Sequence, residues 1–406
     1  METGPGYGDR MVDVDALKDQ LVAEVDRRAD VLLEASHQIH EHPELGFEEV
    51  FAHELLTSIL ADEGLPVERG AYGLETAFEA KAGSTGPTIA VLCEYDALPD
   101  IGHACGHNVI ATAGLGAGLA AAVLAEAAGG RVVILGTPAE EGGGGKVLMA
   151  RRGAFESVDA AMMVHPAGLD LLSMNAISIQ QCKVTYHGRA AHAAAAPQRG
   201  RNALDAAVLG YVNVAALRQH IRPDERIHGI FTEAGTAPNV VPERAAAKWY
   251  VRSPTMSGLE KLKARVLACL EAGAAAAGCE IEHEWLDQAY ANLVDLDPFC
   301  GLYAENAARL GRTVVDHRED NRNVVGSTDM GNISHLVPSI HPMIQVSPPN
   351  VAIHTQDFVR YARGEEGDRA VLDGARAMAM TVADLWTRPD ALAEIKAAFE
   401  TADREP

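Results

Sequence analysis

The sequence predicts an α/β protein. A mostly parallel sheet flanked by helices forms the main domain, and a ferredoxin-like α+β unit is inserted into it. Three observations carry this reading. Residues 87–93, 132–135 and 160–164 are short, nearly continuous apolar runs, the pattern of strands buried on both faces. A helix-length apolar segment, 108–128, separates the first two, as in a strand–helix–strand unit. Near Ile177 the pattern changes to alternation, and continuous apolar runs resume only after about Asp297.

In chain order, residues 14–39 place Leu17, Leu21, Val22, Val25, Val31, Leu32 and Ile39 at helical spacing, which predicts one long amphipathic helix. Pro43 ends it, because proline disfavours helix at the residue before it. A second helix is predicted over 47–63, stopped by Gly64. The strand 87–93, the helix 108–128 and the strands 132–135 and 160–164 follow. Residues 178–186 then alternate, with Ile179, Cys182, Val184 and Tyr186 on one face. A helix at 203–219, strands at 227–231 and 245–251, a helix at 256–277 and a strand at 280–285 complete a β-α-β-β-α-β order. The predicted boundaries are 1–178 and 294–406 for the main domain and 179–293 for the insertion.

Composition narrows the partners. Lys+Arg is 34 and Asp+Glu is 57, so the net charge is 34 − 57 = −23. Such a surface repels phosphate backbones, and aromatics for base stacking are only 5%, so nucleic acid is not an expected partner. The first twenty residues are polar and acidic, with no apolar leader, and no run reaches ~18 uninterrupted apolar residues, so no membrane partner is expected. The Ala- and Gly-rich segment 110–128 reads as a buried helix. Six scattered cysteines suit free thiols in a reducing cytoplasm, which is the expected location.

The chemistry gathers at strand ends. Residues 102–108, GHACGHN, place Cys105 and His107 two apart before a helix. Thiolate and imidazole suit zinc-like ions, Gly106 lets the backbone approach one, and a helix N-terminus favours thiolate. Residues 139–145, AEEGGGG, put Glu140 and Glu141 on a glycine-rich loop after a strand, where α/β sheets bind ligands. One carboxylate there can hold a metal while the other serves as general base. His165 closes the third strand. Near the end, His335, His341 and His354 are all candidates to complete a site, and spacing does not choose among them. Gly114, Gly116 and Gly118 fall inside a helix, so they are no dinucleotide loop, and no G-x-S-x-G elbow is present.

The segments CEYDALPDIGHACGHN (93–108), PAEEGGGGK (138–146), HGRAAHAA (187–194), PNVVPERA (238–245) and STDMGNISH (327–335), with HEHPELGFEE (40–49), resemble the di-metal amidohydrolases that include aminoacylase, carboxypeptidase G and hippurate hydrolase. The nearest branch holds p-aminobenzoyl-glutamate hydrolase and β-alanyl-lysine-type dipeptidases; the hippurate branch carries Asp where this chain has Asn108. The peptidase branches carry His-x-Asp where this chain has Glu94-Tyr95-Asp96, so the resemblance leaves Glu94 outside the ligand set. It implies two divalent ions per subunit, zinc or manganese, on Cys105, His107, Glu141, His165 and His354, with Cys105 bridging. It implies Glu140 as general base and acid, and Asp96 as the residue that orients a ligand. His192 would reach a partner subunit's site to steady the oxyanion, and Asn239 and Arg252 would hold the substrate carboxylate. The implied function is hydrolysis of a small N-acyl amino acid, dipeptide-like or aminobenzoyl-glutamate-like amide, in a homodimer formed through the inserted lid. The alternative is a non-catalytic, metal-binding regulatory subunit, which would tolerate loss of Glu140.

Overall fold

The computed structural model describes residues 13–318 and 325–404. Its largest sheet has six strands, in the order Val67–Arg69, Phe78–Ala82, Arg131–Thr137, Thr88–Glu94, Ala160–Met162 and Ser339–Ile340. The last four run parallel to one another, and Phe78–Ala82 is antiparallel to both of its neighbours, Val67–Arg69 and Arg131–Thr137. Thr88–Glu94 is buried along its whole length, as a central strand between helical layers must be. The helix His107–Ala128 packs on it and is covered in turn by Glu365–Thr387. By length and composition His107–Ala128 would suit a membrane, but 83% of its apolar window is buried inside the protein.

The expected single helix over 14–39 is two. Val14–Arg27, capped by the Asp13 carboxylate, and Ala29–Glu41 meet at Arg28, whose φ/ψ of −104°/6° leaves the helix. The Arg28 guanidinium is buried and pairs with Glu24 at 2.6 Å and Glu63 at 2.7 Å. The break lets one side chain reach both carboxylates and turns the second helix onto His107–Ala128. The antiparallel strands Val67–Arg69 and Phe78–Ala82 add an edge that the apolar runs did not announce.

Residues 178–290 build a separate four-stranded antiparallel sheet, ordered Glu280–Tyr290, Ser178–His187, Arg244–Ser253, Arg226–Glu233. The helices Ala203–Leu217 and Met256–Ala277 pack on each other and on this sheet. Its core, with Trp249, Tyr186, Leu262 and Leu270, is distinct from the core around the large sheet. The two sheets meet beside the C-terminal ends of the parallel strands, where a cavity of about 540 Å³ opens.

Candidate active site

Parallel strands place their C-terminal ends along one edge, and the chemistry collects there. Glu94 is the last residue of the central strand, and the neighbouring strand Arg131–Thr137 leads into the loop carrying Glu140 and Glu141. His165 opens a short strand, His165–Ala167, just past Ala160–Met162. Cys105 and His107 stand at the start of the central helix, joined by Gly106 at φ +78°. A Cβ on Gly106 would lie 2.6 Å from Pro166 Cγ, so the turn needs glycine both for its left-handed backbone and for this contact.

Of the predicted residues, Cys105, Glu140, Glu141, His165, Arg252 and His354 line the cavity. Three groups of side chains bring their ligand atoms within 4.8 Å of one another: Cys105, His107 and His165; Cys105, Glu141 and His354; and Glu94, His107 and Glu140. Cys105 is shared by the first two, the arrangement a bridging ligand needs. Cys105 Sγ is 3.4 Å from His165 Nε2, and His354 Nε2 is 3.4 Å from Glu141 Oε1.

Both buried histidines point Nε2 at this cluster because Nδ1 is engaged elsewhere. His107 Nδ1 donates to Asp96 Oδ1 at 3.0 Å, and His165 Nδ1 donates to the Pro166 carbonyl at 2.8 Å. Asp96 Oδ2 accepts the Glu141 backbone N–H at 2.9 Å, so one carboxylate orients two of the candidate ligands. Tyr290 donates its hydroxyl to the Glu140 carbonyl at 2.6 Å and fixes that loop. His354 has φ +63° and Ala139, next to Glu140, has φ +57°, left-handed conformations that non-glycine residues hold only under constraint. The His354 N–H is tied to the Ala104 carbonyl at 2.8 Å.

The electrostatics call for cations. Glu94 and Asp329 pair with the ammonium of Lys146, and the carboxylates of Asp96, Glu140 and the partly buried Glu141 stand in the same region. Uncompensated buried charge of this kind costs several kcal/mol per ion. Burial, reinforced by Glu94, Glu141 and Asp329, pushes the Glu140 carboxyl well up. Burial and the Glu141 charge likewise raise the Cys105 thiol. Burial alone would lower His107, yet the Glu94, Cys105 and Asp96 charges hold it well above its ordinary value. Glu94 Oε1, His107 Nε2 and Glu141 Oε1 are buried and have no hydrogen-bond partner among the described residues. A cluster that attracts positive charge and turns three buried ligand atoms toward one another, His107 Nε2 being 3.1 Å from Glu94 Oε1 and 3.8 Å from Glu141 Oε1, fits divalent metal ions.

Two expected residues lie elsewhere. His192 and Asn239 are exposed on the inserted unit, close to each other through the Ala193 N–H to Asn239 carbonyl bond of 3.0 Å, and neither lines the cavity of its own chain. His335 Nε2 instead bonds the Asn292 carbonyl at 2.9 Å, and His341 is buried against the His165 ring at 5.3 Å without joining a ligand group. Lys146, Asp329 and Tyr290 join the site with no local sequence pattern to mark them, and Glu94 stands in it although the resemblance leaves it outside the ligand set. The one available signal was position, since Glu94 ends a buried strand.

Residues 93–384 match Peptidase family M20/M25/M40. The chain is 38% identical over 403 residues to the Xaa-Arg dipeptidase of Mus musculus, covering 96% of this chain and 93% of that protein. It is 36% identical over 279 residues to one of the p-aminobenzoyl-glutamate hydrolase subunits of Escherichia coli (strain K12), covering 64% of this chain and 57% of that protein. Its fold is shared with the crystal structure of an aminobenzoyl-glutamate utilization protein from Klebsiella pneumoniae, at a TM-score of 0.68 and 21% identity over 87% of this chain and 98% of that one. A dinuclear metal-binding peptidase from Bacillus subtilis gives 0.60 and 20% over 86% and 98%. The chain belongs to peptidase family M20/M25/M40 and is a metal-dependent amidohydrolase, and its cluster of thiol, imidazole and carboxylate groups is the candidate metal site.

Proposed function

We propose that the enzyme hydrolyses the amide bond of a dipeptide-like substrate, with a pair of zinc or manganese ions held by Cys105, His107, Glu141, His165 and His354. The observation that carries this is the joining of two features in one 540 Å³ cavity: the ligand cluster with Glu140, and the Arg252 guanidinium. A space of that size suits a small molecule and not a polypeptide. Full-length similarity to a Xaa-Arg dipeptidase supports a dipeptide, and similarity to part of an aminobenzoyl-glutamate hydrolase keeps that amide as the comparison substrate. The family of the dinuclear peptidase from Bacillus subtilis supports two ions.

When bound, such ions acidify water toward neutrality and polarise a carbonyl. The residues do the rest. Glu140 takes a proton from the attacking water and passes it to the leaving amine. Its carboxyl is raised by burial and by neighbouring carboxylates, which favours its holding a proton, and cations act in the opposite sense, which favours its taking part as a base. Asp96 keeps His107 in the tautomer that offers Nε2. Arg252 holds the substrate carboxylate: its Nη1 donates to Ser327 Oγ at 3.3 Å, and its buried Nε has no hydrogen-bond partner among the described residues.

The inserted unit exposes Val208, Leu209, Tyr211 and Val212 on one helix and Ile230 and Phe231 on its edge strand. Pairing of two chains through this face is our reading of that surface, with His192 reaching the partner's cavity to steady the oxyanion and Asn239 joining the carboxylate clamp. None of the six cysteines is in a disulfide, and a reducing, cytoplasmic setting is our reading of that usage.

A hydrolysis screen tests the reaction, with dipeptides ending in basic, acidic and apolar residues, N-acyl amino acids and aminobenzoyl-glutamate, each with zinc and with manganese. Turnover confined to dipeptides is expected; turnover of aminobenzoyl-glutamate alone would overturn the substrate assignment. Glu140→Gln should keep its metal and lose at least about 10³-fold in kcat, since it removes the proton carrier and no ligand. For the dimer, an inactive His192→Ala chain mixed with an inactive Glu140→Gln chain should regain activity. Failure of that mixture, with mixed dimers present by sedimentation, would place His192 outside the partner's site.

A further inference from the structure

Lys146 is fully buried, and no step above employs it. Its ammonium forms a short ion pair with Glu94 Oε2 and lies 2.7 Å from Asp329 Oδ1. Asp329 Oδ2 also accepts the Lys146 backbone N–H at 2.9 Å. Three separate segments supply the triad: the end of the central strand, the helix Gly145–Arg151 after the glycine loop, and the turn before Met330–Ser334. A buried ammonium needs close carboxylates, yet two carboxylates against one ammonium leave a negative charge over.

The geometry shows where that excess points. Glu94 gives Oε2 to Lys146, which leaves Oε1 facing the ligand cluster. Oε1 is buried and faces His107 Nε2 at 3.1 Å, and neither atom has any other close polar partner than the ligand cluster among the described residues. Asp96 already takes the other nitrogen of that imidazole. The ligand atoms of Glu94, His107 and Glu140 lie within 4.8 Å of one another, close enough for one ion to be held among them.

We propose that Glu94 is a further ligand of the ion held by His107, and that Lys146 and Asp329 are positioning residues that turn its free oxygen into the cluster. The inference rests on the two-ion reading of the site. A lysine clamp on one oxygen leaves Glu94 a single-oxygen ligand and lowers the charge it delivers, so that Glu140, beside it, keeps its proton-carrying role.

The test reads metal binding, not turnover. Ion content of the unmodified protein is measured first by elemental analysis, with affinities from chelator competition and coordination from the absorption of cobalt-loaded protein. Glu94→Gln leaves the neutral Lys146–Asp329 pair and so should fold. It is expected to weaken one of two ions by at least about tenfold and to change the cobalt spectrum. The double variant Lys146→Gln/Asp329→Asn keeps Glu94 but removes its clamp. With the fold checked by circular dichroism, it should shift the same ion and the same band by a smaller amount. Ions bound by Glu94→Gln with unchanged affinity and spectrum would overturn this inference and leave the two-ion reading intact. An unmodified protein that binds no divalent ion would overturn both.

Discussion

Asp96 serves two donors with one carboxylate, and both belong to the candidate ligands. Burial disfavours its charge, but the hydrogen bond and charge of His107 and the Glu141 N–H outweigh that and hold it below its ordinary value. An amide at this position would turn its NH₂ toward one of two existing donors. Asp96→Asn is therefore expected to lower metal affinity or kcat/KM by about 10- to 100-fold with little loss of fold. Chelator competition reads it, and unchanged affinity would remove Asp96 from its orienting role. Gly106 is constrained by backbone instead of charge. Gly106→Ala must hold φ +78° and meet Pro166 at 2.6 Å, so a loss of about 1–3 kcal/mol is expected in urea unfolding. At this scale the sequence was half legible. That Cys105, His107, Glu141 and His165 come together could be expected because each sits at or just beyond a strand end or at a helix start, and the fold gathers such ends. His354 could not be chosen by spacing, because the Ala104 carbonyl that pins it is 250 positions earlier. Lys146 and Asp329 were invisible for the same reason: they pair across 183 positions.

Among the elements, His107–Ala128 carries the most constraint. Its glycines face different neighbours at close range: a Cβ on Gly114 would sit 2.3 Å from the Leu92 carbonyl, and one on Gly116 would sit 2.7 Å from Leu32 Cδ1. In an exposed helix, Gly→Ala would gain about 1 kcal/mol of propensity. Here the sign reverses, because the strand backbone behind Gly114 cannot move without disturbing the central sheet. Gly114→Ala is expected to destabilise by about 2–4 kcal/mol, and Gly116→Ala by less, since a leucine end can shift. Denaturant midpoints rank the two, and a stabilised Gly114→Ala would contradict the packing argument. Long periodic helices and buried strands were legible here, and Met256–Ala277 is found where its pattern placed it. The break at Arg28 was not, because the periodicity runs through it and only the distant Glu63 explains it. Nor were Val67–Arg69 and Phe78–Ala82, which are held by pairing to Arg131–Thr137 and not by an apolar run of their own.

Across the whole molecule, the fold spends stability to gather acid groups at one edge, and pH should expose this. Glu49 enters the helix Val50–Asp62 and ties three segments together: its carboxylate accepts from Thr76 Oγ1 at 2.7 Å and from the Ala139 N–H at 2.8 Å, next to Glu140. Burial pushes it up to about 7, with Asp96 adding in the same direction against the Thr76 hydrogen bond. A carboxyl raised on folding binds its proton in the folded chain while the unfolded chain has released it. Its contribution is complete below about pH 4.5 and is lost as pH rises through about 7. For Glu49 alone that is on the order of 3 kcal/mol. Glu140 acts with the same sign when no ion is bound, and ions oppose its share. Chelated protein should therefore lose thermal stability between pH 5 and pH 8, on top of the general repulsion expected at a net charge of −23. Glu49→Gln separates the two contributions, because it keeps a carbonyl acceptor and removes the titration. Its Tm should fall less steeply over the same interval, in the presence or absence of zinc. A slope equal to that of the unmodified chelated protein would show that Glu49 is ionised throughout, and would return the pH dependence to the surface.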